Sequence, residues 1–163
     1  MPKVLIANRS AIAVRIIRAC HMLGLDYCLV YTTNEKTDYA VQLAKESVCI
    51  GRGGIDPYLD MYTLINVCQT YGCNMVHPGY GLLSEDYRFA LICEEYGITF
   101  IGPDSESLKV LGNKHLVTKS ATNLGIPTIP YVHSTDSMAR IKAFISTHGV
   151  ENILLKGDIG GGG

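Results

Sequence analysis

The sequence predicts an α/β protein, a parallel sheet flanked by helices with Rossmann-like layering, followed by the opening of a second unit. Three observations predict it. Short apolar runs alternate with longer stretches of helical periodicity. Glycines close the helical stretches, as left-handed C-terminal caps require. After Gly102-Pro103 the alternation stops. Parallel strands are buried on both faces, so they read as continuous apolar runs rather than as alternating ones.

The first strand is predicted over residues 3–7 and a helix over 10–23, with Ile12, Ile16, Ala19 and Met22 or Leu23 on one face. Ser10 is its expected N-cap and Gly24 its stop. Residues 27–31 form the second strand, Thr37-Asp38 opens a helix through Lys45, and 47–50 is the third strand. Residues 51–57 are loop, and 58–71 are helical, closed by Gly72. The fourth strand covers 74–76, a helix runs from Ser84-Glu85 to Tyr96, and 98–101 is the fifth strand. Beyond it come helices at 105–111 and 114–124, and an extended connector at 125–130 stiffened by two prolines. A helix over about 135–147 and a strand over 152–156 precede Gly160–Gly163. The predicted domains are 1–112, and 113–163 as a linker plus the start of a second domain cut inside its glycine run.

Of the 163 residues, 47% are hydrophobic and 18% charged, which suits a packed core rather than a disordered chain. A net charge of -1 provides no basic surface for nucleic acid. No apolar run is long enough to span a bilayer, and no signal peptide is visible, so no membrane partner and a cytoplasmic location are expected. The six cysteines, at 20, 28, 49, 68, 73 and 93, sit mostly in apolar patterns and are expected as buried, reduced thiols. Cys68, Cys73 and His77 match no standard zinc spacing, and no metal ligands are expected.

Four segments could carry chemistry. The turn Asn8-Arg9-Ser10 follows the first strand, but no glycine lies between Lys3 and Leu23. A dinucleotide-binding G-x-G-x-x-G turn is excluded there, and the segment reads as a polar-capped turn. The run His77-Pro78-Gly79-Tyr80-Gly81-Leu82-Leu83-Ser84-Glu85 leaves the carboxyl end of the fourth strand, where loops line the ligand crevice of open sheets. Gly79 and Gly81 permit unusual backbone angles, and His77 and Tyr80 bring polar groups. Glu85 is either part of the site or a first-turn carboxylate serving the helix dipole. On the residues alone, site-lining loop and structural turn both stand. Lys114, opening a helix, can reach a nucleotide phosphate or lie solvated. Lys156 ends an apolar run ahead of Gly160–Gly163; a half-buried ammonium needs an anion, and glycine amides can wrap phosphate, although the pattern is not a Walker loop and a flexible linker also fits.

In order along the chain, these segments resemble biotin carboxylase, an ATP-grasp enzyme. The resemblance runs through Lys3-Val4-Leu5-Ile6-Ala7-Asn8-Arg9, Ile12 to Ala19, Val48-Cys49-Ile50-Gly51, His77-Pro78-Gly79-Tyr80-Gly81 with Leu83-Ser84-Glu85, and Phe100-Ile101-Gly102-Pro103. It continues through Gly112-Asn113-Lys114, Gly125-Ile126-Pro127 and Lys156 before the glycines. It implies a pre-ATP-grasp domain followed by the start of an ATP-grasp domain, from the first third of an enzyme that uses ATP, Mg2+ and bicarbonate to carboxylate carrier-bound biotin. It further implies that Lys114, Lys156 and Gly161, Gly162 and Gly163 meet ATP, and that His77, Gly79, Tyr80, Gly81 and Glu85 border the biotin end. Arg18 is implied at a homodimer contact. The implied partners are a biotin carboxyl carrier protein and a carboxyltransferase, as in the acetyl-CoA carboxylase of fatty-acid synthesis, or in pyruvate and acyl-CoA carboxylases. The catalytic set, including the metal ligands, lies later in such an enzyme, so these 163 residues alone are expected to be inactive. The family usually has Gly-Glu after Asn-Arg, where this chain has Ser10-Ala11, and small apolar residues near Asp158. The other readings are a non-biotin ATP-grasp ligase of the carbamoyl-phosphate or purine-pathway type, and a non-catalytic dimerisation or binding module.

Overall fold

The structure is a computed structural model that describes residues 2–133 and 136–155. It falls into two compact units, one through Lys109 and one from Val110.

The first unit is built on a five-stranded sheet of order β3-β2-β1-β4-β5, all pairs parallel. The strands are β1 (Lys3–Ile6), β2 (Asp26–Tyr31), β3 (Ser47–Cys49), β4 (Met75–His77) and β5 (Thr99–Phe100). Its helices are α1 (Ser10–Leu23), α2 (Tyr39–Leu43), α3 (Asp56–Leu59), α4 (Met61–Tyr71) and α5 (Tyr87–Glu95). Because side chains alternate along a strand, the central strand feeds two cores. Val4 and Ile6 pack with Ala13, Ile16, Ile17 and Cys20 of α1 and Ala40 of α2. Leu5 and Ala7 pack with Leu64, Ile65 and Cys68 of α4 and Phe89 and Cys93 of α5. The five predicted strands and their parallel arrangement are those observed.

The element ends differ from the sequence reading for local reasons. The single helix expected over 58–71 is broken at Asp60, whose extended backbone caps α4 by accepting from Thr63 N at 3.1 Å. The helix expected from Ser84 begins at Tyr87, because Asp86 accepts from Arg88 N at 3.0 Å. The carboxylate serving that helix start is thus Asp86, not Glu85. The helix expected from Thr37 shrinks to α2. Ser10 is not the N-cap of α1: Arg9 holds that position without a side-chain bond, and Ser10 is the first helical residue, with φ 51°. Cys49 is exposed and donates to Gly51 O at 3.4 Å, unlike the other five cysteines, which are buried. Burial pushes the Cys73 thiol up to about 11, and Cys28 and Cys93 to about 12.

Helix α6 (Ser105–Leu111) crosses into the second unit, which holds α7 (Lys114–Asn123) and α8 (Met138–His148). The strand expected over 152–156 is corrected in its described part: Val150–Asn152 is a 3-10 turn, and residues 153–155 are neither helix nor strand. A strand needs a partner for its backbone groups, and no strand of the described residues pairs with this segment. Lys156 and the glycines lie outside the described residues.

The positive φ of Ser10 yields a stability test. Left-handed backbone costs a non-glycine residue about 1–2 kcal/mol, part of which glycine returns through unfolded-state entropy. Ser10→Gly is expected to stabilise the first unit by about 1 kcal/mol. The readout is a higher urea midpoint at unchanged m-value; a lower midpoint would show that the hydroxyl of Ser10, 3.5 Å from Asp38 Oδ2, contributes more than the strain removes.

Candidate functional site

An open parallel sheet forms its ligand crevice outside the carboxyl ends of the strands, where the strand order reverses. The reversal here falls at β1, with β2 on one side and β4 on the other. Two consecutive residues after β1 hold the loops that leave both neighbours.

Asn8 holds the β4 side. Ala7 N donates to His77 O at 3.0 Å, extending the ladder, and Asn8 follows with only 1% of its surface exposed. Its Nδ2 donates to Pro78 O at 2.6 Å and Tyr80 O at 3.1 Å, while its Oδ1 accepts from Arg9 N at 2.9 Å. Gly79 lies against this amide with φ 69°; a Cβ there would sit 2.7 Å from Asn8 Nδ2 and 2.5 Å from Ile12 Cγ2. Glycine is required for both space and angle. Gly79 N donates to His77 Nδ1 at 3.0 Å, which leaves the proton of the neutral ring on Nε2, and burial holds the His77 pKa below its ordinary value. Gly81 and Leu82 follow with φ 66° and 48°, and Leu83 re-enters the core at 4% exposure. Between these anchors Tyr80 is 73% exposed.

Arg9 holds the β2 side. Its guanidinium donates to Glu35 Oε1 at 3.0 Å and lies 5.9 Å from the centre of the Tyr58 ring. Glu35 Oε2 accepts from Thr32 N at 2.9 Å, Thr32 Oγ1 at 2.8 Å and Tyr58 Oη at 2.6 Å. Burial alone would raise the Glu35 pKa, but these donors outweigh it and hold the carboxyl below its ordinary value. The same burial and the carboxylate push Tyr58 up.

The structure gathers His77, Gly79, Tyr80 and Gly81 into one anchored loop, with Glu85 exposed at its far end. Arg18 lies on the exposed side of α1, along a groove shared with Arg15 and Tyr39. Lys114 is the first residue of α7 in the second unit, behind Asn113, whose side chain accepts from Leu116 N at 3.0 Å. Lys156, Gly161, Gly162 and Gly163 lie outside the described residues. Sequence reasoning took Asn8 and Arg9 only as part of a polar-capped turn and assigned no role to Thr32, Glu35 or Tyr58. The available signal was a polar pair, Asn8-Arg9, directly after a wholly apolar strand.

Residues 1–108 match the family described as "Biotin carboxylase, N-terminal domain". The chain belongs to this family. It is 39% identical to the chloroplastic biotin carboxylase of Arabidopsis thaliana, over 99% of this chain and 30% of that one. It is 36% identical to biotin carboxylase 1 of Bacillus subtilis, over 99% of this chain and 36% of that one. It thus spans about a third of these relatives. Among solved structures, the 2-oxoglutarate carboxylase biotin carboxylase domain of Hydrogenobacter thermophilus superposes with a TM-score of 0.84 at 36% identity, covering 90% of this chain and 33% of that one. That domain is described as a dimer in complex with MgADP, ADP and bicarbonate.

The Glu35 network gives a signed pH dependence. Its folded pKa lies below the usual 4.5, so the network's stabilisation is full above that value and is lost as pH falls through the folded pKa. Tyr58→Phe is expected to lower stability by about 1.5–3 kcal/mol at pH 7, the range for a bond to a charged group. The loss should shrink once the carboxyl is protonated. Urea denaturation of both forms in steps from pH 7 down through the acid range checks this, and a loss that never shrinks down to the pH of acid unfolding would exclude a charge-dependent role for Glu35.

Proposed function

We propose that this chain is the first wall of a biotin carboxylase whose remaining parts complete the nucleotide and metal sites. The observation that carries the reading is the His77–Gly81 loop, anchored at the carboxyl edge of the sheet beside the reversal of strand order. Family membership over residues 1–108 supports it. The whole protein would use ATP and bicarbonate to carboxylate biotin on a carrier protein, then pass the carboxyl group to a carboxyltransferase.

Tyr80, with His77, Gly79, Gly81 and Glu85 around it, is assigned to the biotin side. Lys114, Lys156 and the glycines 161–163 are assigned to the ATP phosphates. Residues 1–112 form the pre-ATP-grasp domain in this reading, and 113–163 open the ATP-grasp domain. Arg18, on the outer side of α1, is assigned to a homodimer contact. Among the described residues no group of three or more His, Cys, Asp or Glu could hold a metal ion, so the Mg2+ that accompanies ATP is assigned to no residue here. No helix of the described residues is long and apolar enough to cross a membrane. An acetyl-CoA carboxylase of fatty-acid synthesis, working in the cytoplasm, is the proposed setting; relatives named simply as biotin carboxylases are consistent with the acetyl-CoA assignment.

The reading is tested on the longer protein that carries this chain. Phosphate release from ATP should require both bicarbonate and biotin, and equal release without biotin would overturn the assignment. The 163-residue chain by itself should release none above a no-protein control. Lys156→Ala should weaken ATP binding about ten- to a hundredfold, the worth of one charge-assisted phosphate contact. Lys114→Ala should act similarly, and the double variant less than additively because both lysines would share one ligand. Calorimetric titration with MgATP reads all three. An unchanged dissociation constant for Lys156→Ala, at unchanged melting temperature, would remove the nucleotide role.

A further inference from the structure

We propose that Asn8 is a positioning residue for the acceptor side of the site: its buried amide sets the His77–Gly81 loop, and with it Tyr80. The proposal rests on the reading of that loop as the biotin side.

Three observations support it. Asn8 is among the few buried polar residues of the described chain, and both its Nδ2 contacts are backbone carbonyls of the loop, 70 and 72 residues away. An amide buried to 1% exposure must spend its donors, so the loop position and the Asn8 rotamer specify each other. The loop is also strained. Leu82 has φ 48°, a conformation that a bulky residue keeps only when its surroundings over-determine it. Leu83 in the core anchors the exit of the loop, and the Asn8 amide anchors its entry, bracketing Gly79 and Tyr80. Finally, Gly79 is fitted to Asn8 itself, since a Cβ there would meet Nδ2 at 2.7 Å. Tyr80 therefore gains its exposed position from backbone anchors on either side of it. An Asn8 that merely satisfied its own burial could bond any nearby carbonyl; this one spans the carbonyls before and after Gly79.

Asn8→Asp is the discriminating variant. It keeps the volume and the acceptor for Arg9 N, but turns an oxygen toward the carbonyls of Pro78 and Tyr80. Hydrogen exchange on the 163-residue chain should show the Gly79 and Ser84 amides losing protection by about tenfold or more, the loss of a buried hydrogen bond. The amides of Leu5, Ile6 and Leu29 should be unchanged. Lowering the pH should restore part of the loop's protection factor, because a protonated carboxyl regains one donor. Asn8→Ser, shorter but uncharged and still a donor, guards against a misfolded Asp variant and should lie between the two. In the longer protein, Asn8→Asp should raise the KM for free biotin about tenfold or more while leaving the dissociation constant of MgATP unchanged. Unchanged loop exchange in a folded variant overturns the proposal, as does altered exchange with an unchanged biotin KM. Failure of the underlying reading shows separately, as biotin-independent phosphate release by the wild type.

Discussion

The arrangement at the carboxyl edge depends on one constraint: a side-chain amide buried at the end of the central strand has to satisfy its hydrogen bonds locally. Water cannot reach Asn8, so its donors need carbonyls, and regular strand pairing ends two residues earlier, at Ile6. The chain leaving β4 supplies them from Pro78 and Tyr80. Each bond is worth about 1 kcal/mol net, but leaving the group unsatisfied costs about 1–3 kcal/mol. That asymmetry, more than the net gain, ties the loop to the strand.

Arg9 extends the logic to the other neighbour. The residue beside Asn8 donates to a carboxylate that already gathers donors from Thr32 and Tyr58. The loops leaving β2 and β4 are thus both tied to β1, one by a neutral amide and one by an ion pair. The two ties respond differently to pH and salt. The Asn8 bonds carry no net charge and should be indifferent to both. The Glu35 cluster depends on an ionised carboxyl and weakens in acid.

Much of the fold was legible in the sequence because parallel strands are buried on both faces. Val4, Leu5, Ile6 and Ala7 are all nearly inaccessible, so the strand appears as an unbroken apolar run, and no register or pairing is needed to see it. Ends were less legible, since Asp60 and Asp86 stop and start helices through single capping bonds that periodicity does not register. The expected strand at 152–156 shows the converse in its described part: Ile153, Leu154 and Leu155 make an apolar run, but no strand among the described residues pairs with it. The His77–Gly81 loop stood out through its glycines. Asn8 and Glu35 did not, because a polar residue has no period, and the partners that tie each to another element, Tyr58 for Glu35 and Pro78 and Tyr80 for Asn8, lie 23 to 72 positions away. No spacing rule reaches across that distance; only the sheet order brings β1 beside β4.

The departure at Ser10 bears on how such an edge tolerates change. The turn from β1 into α1 needs a left-handed residue, as φ 51° shows, and the resemblance places glycine at this position. The serine here keeps that left-handed backbone. It is held on one side by Asn8 and Arg9, whose bonds fix the preceding residues, and on the other by Ala13, Ile16 and Ile17 in the core. With both flanks anchored, the turn keeps its geometry and the substituted residue carries the cost locally. Leu82 follows the same rule in the other loop, between the Asn8 amide and the buried Leu83. Strain thus collects at Ser10 and Leu82, in the turns that leave β1 and β4, where anchors on both flanks over-determine the backbone of the residue between them.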